Sequence, residues 1–592
     1  MYTTGTAFLE ALYEAGISYI FANLGSDHPA IIESLARAKK DNKELPTVIT
    51  CPHEFVALSA AHGYAQATGE PQTVMVHVEC GTQNLGGAIH NASRSRVPVL
   101  IFAGASPYTQ EGEKIGSRNE FIHWIQDVRD QRGIVRGYTK YDNEIRTGSN
   151  VKQLVYRSLQ IAKSEPAGPV YLMGPREVME EKTEPITLKT DLWQPISPEA
   201  IAPQQLKQLI NDLTAAKNPL IVTSYLGRNI EAVKELVYLS EKLSIPVIES
   251  IPHHLNFPHN HPMHCGSQWN VSDQNPILAE ADFVLVIDSD VPWIQMLNKP
   301  SEEATVYYID VDPLKEEMPL WYIPSKRFLK ANSYVALQQI NEYIKHHCKI
   351  DQKAIFKRRK KYSKIHIEQM EEKRHKEQSR TDVITPEYVV ACVREVIDKE
   401  NTIILNEAIT NYPAVSNHIR LDIPGSYYGS GAGSLGWNGG AAIGIKLAKP
   451  EKTIVSLTGD GSYLFSVPST VHWMANKYKT PFLTVILNNA GWKAPKMSTL
   501  GVHPRGVASE TGEYWVNFDP ISDLAKVAEA AGNAYPINVE KHEEMKGALQ
   551  KGLNIVEEGR SVVINVKIPH VYAKDETHIK WEQYNYLTVD NK

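Results

Sequence analysis

The sequence predicts an α/β protein made of three doubly wound parallel-sheet domains in series. Three observations carry this. Short apolar runs rich in Val and Ile alternate with helix-spaced segments through three blocks, the rhythm of βα repetition and so of parallel sheets. A Pro-rich stretch, 182–203, and a stretch dense in Lys, Arg and Glu, about 353–380, separate the blocks. A chain of 592 residues is also too long for one core, and about three or four domains are expected. The divisions drawn are 1–185, a central domain 200–345, a charged linker helix 346–384, a third domain 385–570, and a tail 571–592 draped over the surface.

In the first block, Ala7 to Leu12 has helical spacing and Tyr19-Ile20-Phe21 follows as a strand. Val48-Ile49, Val74 to Val76, Val99 to Phe102 and Val170 to Leu172 are the next strands. Pro52-His53-Glu54-Phe55 opens a helix whose run Ala57 to Ala67 keeps it slim enough for close packing. In the central block the strands are Leu220 to Val222, Pro246 to Ile248, Phe283 to Ile287 and Tyr307 to Ile309. In the third, Thr453 to Leu457 and Phe482 to Leu487 flank a crossover helix of roughly Leu464 to Tyr478.

Composition excludes several classes. The chain is 42% hydrophobic and 22% charged, ordinary for a soluble globular protein, and its net charge of −6 gives no nucleic-acid footprint. The basic run Lys357 to Lys361 is followed by Glu368, Glu371 and Glu372, as on a solvated linker helix. The five cysteines form no C-x-x-C pair, so neither a zinc site nor a disulfide framework is indicated. No run approaches the roughly 20 apolar residues of a membrane span, no secretory leader is apparent, and a cytoplasmic protein is expected. His253, His254, His259, His261 and His264 match no helical zinc spacing and read as a loop interrupted by Pro and Asn.

The strongest chemical signal lies in the third block. Thr458-Gly459-Asp460-Gly461-Ser462 ends one strand, and Asn488-Asn489-Ala490-Gly491 ends the next. The carboxyl ends of adjacent parallel strands are where open α/β sheets bind ligands. Asp460, the Asn489 side-chain carbonyl and the Gly491 backbone carbonyl offer hard oxygens to a divalent cation, and Mg²⁺ is held by a few such oxygens plus phosphates and water. Gly459, Gly461 and Ser462 let backbone N–H groups approach a phosphate at a helix N-terminus.

This pair of segments resembles the diphosphate–metal motif of thiamine-diphosphate (ThDP) enzymes. Over almost its whole length the chain looks like the superfamily of acetolactate synthase, benzoylformate decarboxylase and pyruvate oxidase, in the order pyrimidine-binding, central, diphosphate-binding. His53-Glu54 with Gly63 to Gly69, Gly81 to Asn84, and Gly433 to Trp437 with Ala441 to Gly444 match further family segments. The resemblance implies that Glu54 bonds the pyrimidine N1′ of ThDP, so that the cofactor's own amino group deprotonates its thiazolium carbon. The plain alternative is a favourable acid in a first helical turn. It implies that Ser434 and Leu435 lie beneath the cofactor, Leu435 wedging it into a bent shape, although Leu435 also suits ordinary core. It places the active site between the first domain of one subunit and the third of another, in a homodimer or homotetramer.

Members of the superfamily differ in chemistry. By position, benzoylformate decarboxylase has a Ser and a His at Ser26 and His77; carried over, Ser26 holds a 2-oxo acid carboxylate and His77 is a general acid/base, or a structural His. Glu407 and Thr410 would line the diphosphate pocket. The decarboxylase's second catalytic His has no counterpart here, where the chain reads Ser289-Asp290-Val291-Pro292-Trp293. Ile125-Gln126-Asp127 resembles an acetolactate synthase segment, which would bring Gln126 to the site across the subunit boundary. Acetolactate synthases also hold FAD in the central domain, but Tyr225-Leu226-Gly227-Arg228 matches poorly and leaves FAD unsupported. Trp492 to Lys496 reads as a surface turn or as a lid attracting an acid. The expected function is ThDP- and Mg²⁺-dependent decarboxylation of a 2-oxo acid, with transfer to a carbonyl acceptor as in acetolactate synthase. The alternatives are simple decarboxylation and a non-catalytic ThDP-binding subunit.

Overall fold

The structure, a computed structural model, describes residues 2–269, 274–378 and 383–573. The tail expected at 571–592 lies almost wholly outside the described residues. Three six-stranded sheets form the frame, and every strand pairing within them is parallel. The expected three-sheet α/β class is therefore observed.

The first sheet contains β1 (Tyr19–Ala22), β2 (Thr47–Thr50), β3 (Thr73–Val76), β4 (Leu100–Ala105), β5 (Tyr141–Glu144) and β6 (Val170–Pro175) in the order β2-β1-β3-β4-β6-β5. The second has β7 (Pro219–Thr223), β8 (Val247–Ser250), β9 (His264–Gln268), β10 (Phe283–Ile287), β11 (Thr305–Asp310) and β12 (Arg327–Lys330), ordered β12-β11-β10-β7-β8-β9. The third has β13 (Thr402–Glu407), β14 (Tyr427–Gly429), β15 (Thr453–Gly459), β16 (Leu483–Asn488), β17 (Tyr535–Val539) and β18 (Val562–Lys567), ordered β14-β13-β15-β16-β18-β17. The first and third sheets thus share one topology, while the second has the order of a dinucleotide fold. A helix, Gln352–Lys376, follows the central sheet and buries only Ile355, Tyr362 and His366.

Small residues dock the first sheet's domain onto the third's. The helix Glu54–Thr68 lies against the helix Trp437–Ala448, and a Cβ on Gly444 would sit 1.9 Å from the Ala60 carbonyl oxygen. Backbone contact this close requires glycine. The Ala-rich run read from the sequence is one half of this contact.

Buried charge ties the first domain to the central one. Arg96 donates twice to Asp290, at 2.8 and 3.2 Å. Lys315 Nζ, 1% exposed, lies 2.9 Å from Asp290 and 2.6 Å from Asp310 and donates to the Tyr225 hydroxyl. Removing one partner of a buried pair leaves the other charge uncompensated. Lys315→Met is therefore expected to cost about 3–5 kcal/mol in a urea titration. Lys234→Met, which breaks an exposed pair with Glu231, should cost less than about 1 kcal/mol.

Candidate active site

In the first domain, the loops after β1 and β3 and the start of the helix Glu54–Thr68 border a wide-open cavity of about 660 Å³. Asn23, Leu24, Gly25, Glu54, His77 and Asn84 are among its lining residues. Parallel pairing of β1 with both β2 and β3 brings these three carboxyl ends side by side. Glu54 is only 7% exposed, and both its oxygens are engaged: Asn23 Nδ2 donates to Oε1 at 2.8 Å and Asn84 Nδ2 to Oε2 at 2.6 Å. Asn23 and Asn84 come from segments noted in the sequence, but their role as a clamp on Glu54 was not foreseen.

His77 projects into the same cavity. Its Nδ1 lies 2.5 Å from Asp27 Oδ1 and its Nε2 3.0 Å from Gln126 Oε1. The Asp27 hydrogen bond raises the imidazole pKa, against the lowering effect of burial. Asp27 was missed in the sequence; its only signal is the polar run after β1, opposite His77 at the end of the neighbouring strand. Ser26 is half-buried in that run and is not among the residues lining the cavity. Gln126 joins the same cluster. It bonds His77 of its own chain, because the short helix Ile122–Ile125 ends beside β3's exit loop.

The second cluster lies at the ends of β15 and β16, which pair from Val455↔Leu483 to Gly459↔Leu487. Gly491 N–H donates to Asp460 Oδ2 at 2.9 Å and to Asn489 Oδ1 at 3.2 Å, so the two side-chain oxygens converge on one point. Burial pushes the Asp460 carboxyl up to about 6. Hard oxygens around a carboxylate short of counter-charge suit a divalent cation. A Cβ on Gly459 would meet open space, whereas one on Gly461 would lie 2.6 Å from Trp492 Nε1. Gly461 is thus also demanded by packing under Trp492. Ser462 is buried in the same helix, Asp460–Phe465.

Other expectations fall differently. Glu407 is fully buried and its carboxylate accepts the N–H groups of Gly436, Trp437 and Asn438 at 2.7, 3.2 and 2.9 Å. It caps the helix Trp437–Ala448, which satisfies its oxygens, and it also lines a cavity of about 320 Å³; burial raises it to about 7. Thr410 is half-buried in the 3₁₀ turn Ile409–Asn411. The backbone of Ser434 exchanges two hydrogen bonds with Asn91 of the first domain, and Leu435 beside it is half-buried. Trp293, 3% exposed, packs into the central core rather than facing Glu54. Trp492 to Lys496, expected as a turn or lid, is instead the start of a helix, Lys493–Val502 with Trp492 at its N-cap, and Lys496 there donates to the Val571 carbonyl.

The histidine loop contains more order than its spacing suggested. His264 opens β9, and His259 and His264 both meet buried Glu249, at 3.3 and 3.1 Å. Leu421 N–H donates to His259 Nδ1, which puts that ring's proton on Nε2, facing Glu249. A metal at Nε2 would force the ring's proton onto Nδ1, against the Leu421 N–H, so with that contact made the cluster is a hydrogen-bonded tie between the central and third domains. The switch-point loop of the central sheet is largely satisfied by its own domain. Between β7 and β10, the N–H groups of Ser224 and Tyr225 donate to the Asp288 carbonyl, and that of Gly227 to Asn256. Those of Arg228 and Asn229 close local turns. This switch-point loop has little left to offer a pyrophosphate.

This fold is that of a thiamine-diphosphate-dependent enzyme. Family profiles described as "Thiamine pyrophosphate enzyme" match in order: the N-terminal TPP binding domain over residues 2–134, the central domain over 206–322 and the C-terminal TPP binding domain over 408–566. The chain belongs to the thiamine pyrophosphate enzyme family. It is 25% identical over 582 residues to an acetolactate synthase large subunit of Buchnera aphidicola, covering 95% of each chain. It is 24% identical over 504 residues to a benzoylformate decarboxylase of Pseudomonas aeruginosa, covering 83% of this chain and 87% of the other. Among solved structures, a Rhodococcus jostii thiamine diphosphate-dependent 4-hydroxybenzoylformate decarboxylase shares the fold with a TM-score of 0.76 and 21% identity, over 96% of this chain and 99% of that one. Among the described residues, no helix is long and apolar enough to cross a membrane.

Proposed function

We propose that this enzyme decarboxylates a 2-oxo acid non-oxidatively and releases the aldehyde, using ThDP and Mg²⁺. The observation that carries it is the shared cavity of Glu54 and His77, a carboxylate held by two amides beside an imidazole held by an acid. Glu54 would hold the pyrimidine end of the cofactor, and Asp460, Asn489 and the Gly491 carbonyl would hold Mg²⁺ with the diphosphate. When bound, the cofactor supplies a carbon nucleophile and an electron sink. Gln126, whose Nε2 has no partner, would bind the substrate carboxylate. His77 delivers the proton that ends the reaction from its Nε2–H, which Gln126 Oε1 holds at 3.0 Å until substrate arrives.

Among the described residues, none of the third domain lines the Glu54 cavity. A site needing both clusters therefore draws its metal half from a second copy, and we infer a homodimer as the smallest active unit. Exposed Phe121 and Ile125 near the first cluster, and Trp515 and Val507 in the third domain, suit that contact.

Carboligation, placed first from the sequence, is the second reading. It is supported by the acetolactate synthase relatives and by the lack of a second imidazole at Trp293. Incubation with pyruvate and, separately, with an aryl 2-oxo acid decides between them. Free aldehyde matching the CO₂ evolved is expected. Acetolactate as the sole product from pyruvate establishes carboligation, and ThDP uptake without turnover on a broad panel makes the chain a binding subunit.

A further inference from the structure

We propose that Asp27 is a positioning residue for His77, fixing the imidazole by its Nδ1–H and leaving Nε2–H to face the substrate. This rests on the reading of the cavity as the site of 2-oxo acid chemistry.

The pair is built into the backbone around it. A Cβ on Gly25 would lie 2.0 Å from His77 Nδ1, and one on Gly104 would lie 1.7 Å from Asp27 Oδ2. Side chains at either position would push the two groups apart. Val78, directly after His77, has φ +30°, a region that β-branched residues avoid, and its N–H donates to Asp27 Oδ2 at 3.1 Å. Asp27 thus holds both the ring and the strained peptide that aims it.

His28 also lies near Asp27, its Nδ1 3.0 Å from Oδ1. Gly25 N–H, however, donates to that same nitrogen at 3.1 Å. The neutral His28 ring therefore carries a lone pair there and has no proton to give. This leaves His77 as the ring that donates to Asp27. Burial alone would raise the Asp27 pKa, but the hydrogen bond from His77 helps to hold it well below the ordinary carboxylate range. Asp27 is an anion at the pH of the reaction.

Several other groups bear on the pair. Glu54, across the cavity, also favours a charged His77. His123, on the helix Ile122–Ile125, and Tyr171, on β6, both sense the charge of Asp27. On the far ring nitrogen, Gln126 Oε1 takes the Nε2–H until a substrate displaces it, and the buried Gln126 Nε2 has no partner of its own. That amide is free to donate to an incoming carboxylate or carbonyl oxygen.

An acid acting through His77 must be protonated, so activity falls as pH rises through the imidazole pKa. Asp27 supports the cation, and its loss moves this alkaline limb to lower pH. Asp27→Asn keeps the shape and the Val78 contact but removes the charge. We expect kcat to fall by roughly 10–1,000-fold, the alkaline limb to shift down, and the melting temperature to change little. Histidine NMR of the cofactor-free protein, with His77 assigned through His77→Gln, should show a lower His77 pKa in Asp27→Asn than in wild type. An unmoved limb together with an unmoved His77 pKa overturns the proposal. If Asp27→Asn does not fold, the wild-type titration decides: a His77 pKa at or below about 6.5, the free-imidazole value, is equally fatal. The NMR comparison needs no turnover, so a wild type inactive on every 2-oxo acid would defeat the functional reading while leaving the Asp27–His77 coupling separately tested.

Discussion

Glu54→Gln is expected to lower turnover by on the order of 10²–10⁴ while leaving ThDP uptake nearly intact. The substitution keeps the length and shape of the side chain. What it removes is a carboxylate able to share a proton with a ring nitrogen. Both Glu54 oxygens accept from amide N–H₂ groups, Asn23 on one side and Asn84 on the other. A glutamine must turn its own N–H₂ toward one of them, and two donors then face each other. That loses one hydrogen bond, about 1–3 kcal/mol for a buried group, which is small beside the stability of a helix packed along its length. The helix Glu54–Thr68 is held by its contact with Trp437–Ala448, remote from the carboxylate. The fold should therefore survive and the defect should be chemical. Calorimetry with ThDP and Mg²⁺, beside a coupled aldehyde assay, checks both halves. A variant keeping more than about a tenth of wild-type activity would remove Glu54 from the mechanism.

The parts of this fold that could be read from the sequence are those buried on both faces. Phe283 to Ile287 and Phe482 to Leu487 are continuous apolar runs because helices cover both sides of a parallel sheet. The strands that escaped notice are mostly edges. Tyr141–Glu144, His264–Gln268 and Arg327–Lys330 are short or polar, since an edge strand need not be apolar and is safer when it is not. A similar divide runs through the site. Asp460 and Asn489 stand at the ends of consecutive strands of one crossover, so their closeness follows from local order in the chain. Asp27 meets His77 only because β1 and β3 are neighbours with β2 displaced to the far side. No spacing along the chain encodes that contact. Glu407 has a structural role that no motif announces. The likeness to benzoylformate decarboxylase suggested a diphosphate pocket; Glu407 does line a cavity, while three backbone N–H groups of the next helix take its oxygens. A carboxylate beside an uncapped helix start is claimed by that helix first.

Asp460→Ala is expected to abolish Mg²⁺-dependent retention of ThDP, weakening it by at least about 100-fold. Burial raises the Asp460 carboxyl to about 6, which marks a group lacking a counter-charge. Removing it deletes an uncomfortable buried anion along with the hydrogen bonds from Gly461 and Gly491, at 2.9 Å each. These effects oppose one another, so the cofactor-free protein should melt close to wild type. The difference appears on adding ThDP and Mg²⁺. At a ligand concentration of 100 Kd the wild type gains about 2.7 kcal/mol, and the variant should gain almost nothing. Asp460 and Glu54 also test the subunit arrangement together. Each single variant is inactive for a different reason: one cannot hold the metal and the other cannot engage the pyrimidine. If one site combines Glu54 of one protomer with Asp460 of its partner, a mixed dimer contains one site with both residues intact and one with neither. Co-expression at equal levels makes about half the dimers mixed, so activity should return to about a quarter of wild type. If both residues came from the same protomer, every site would carry one lesion and the mixture would stay dead.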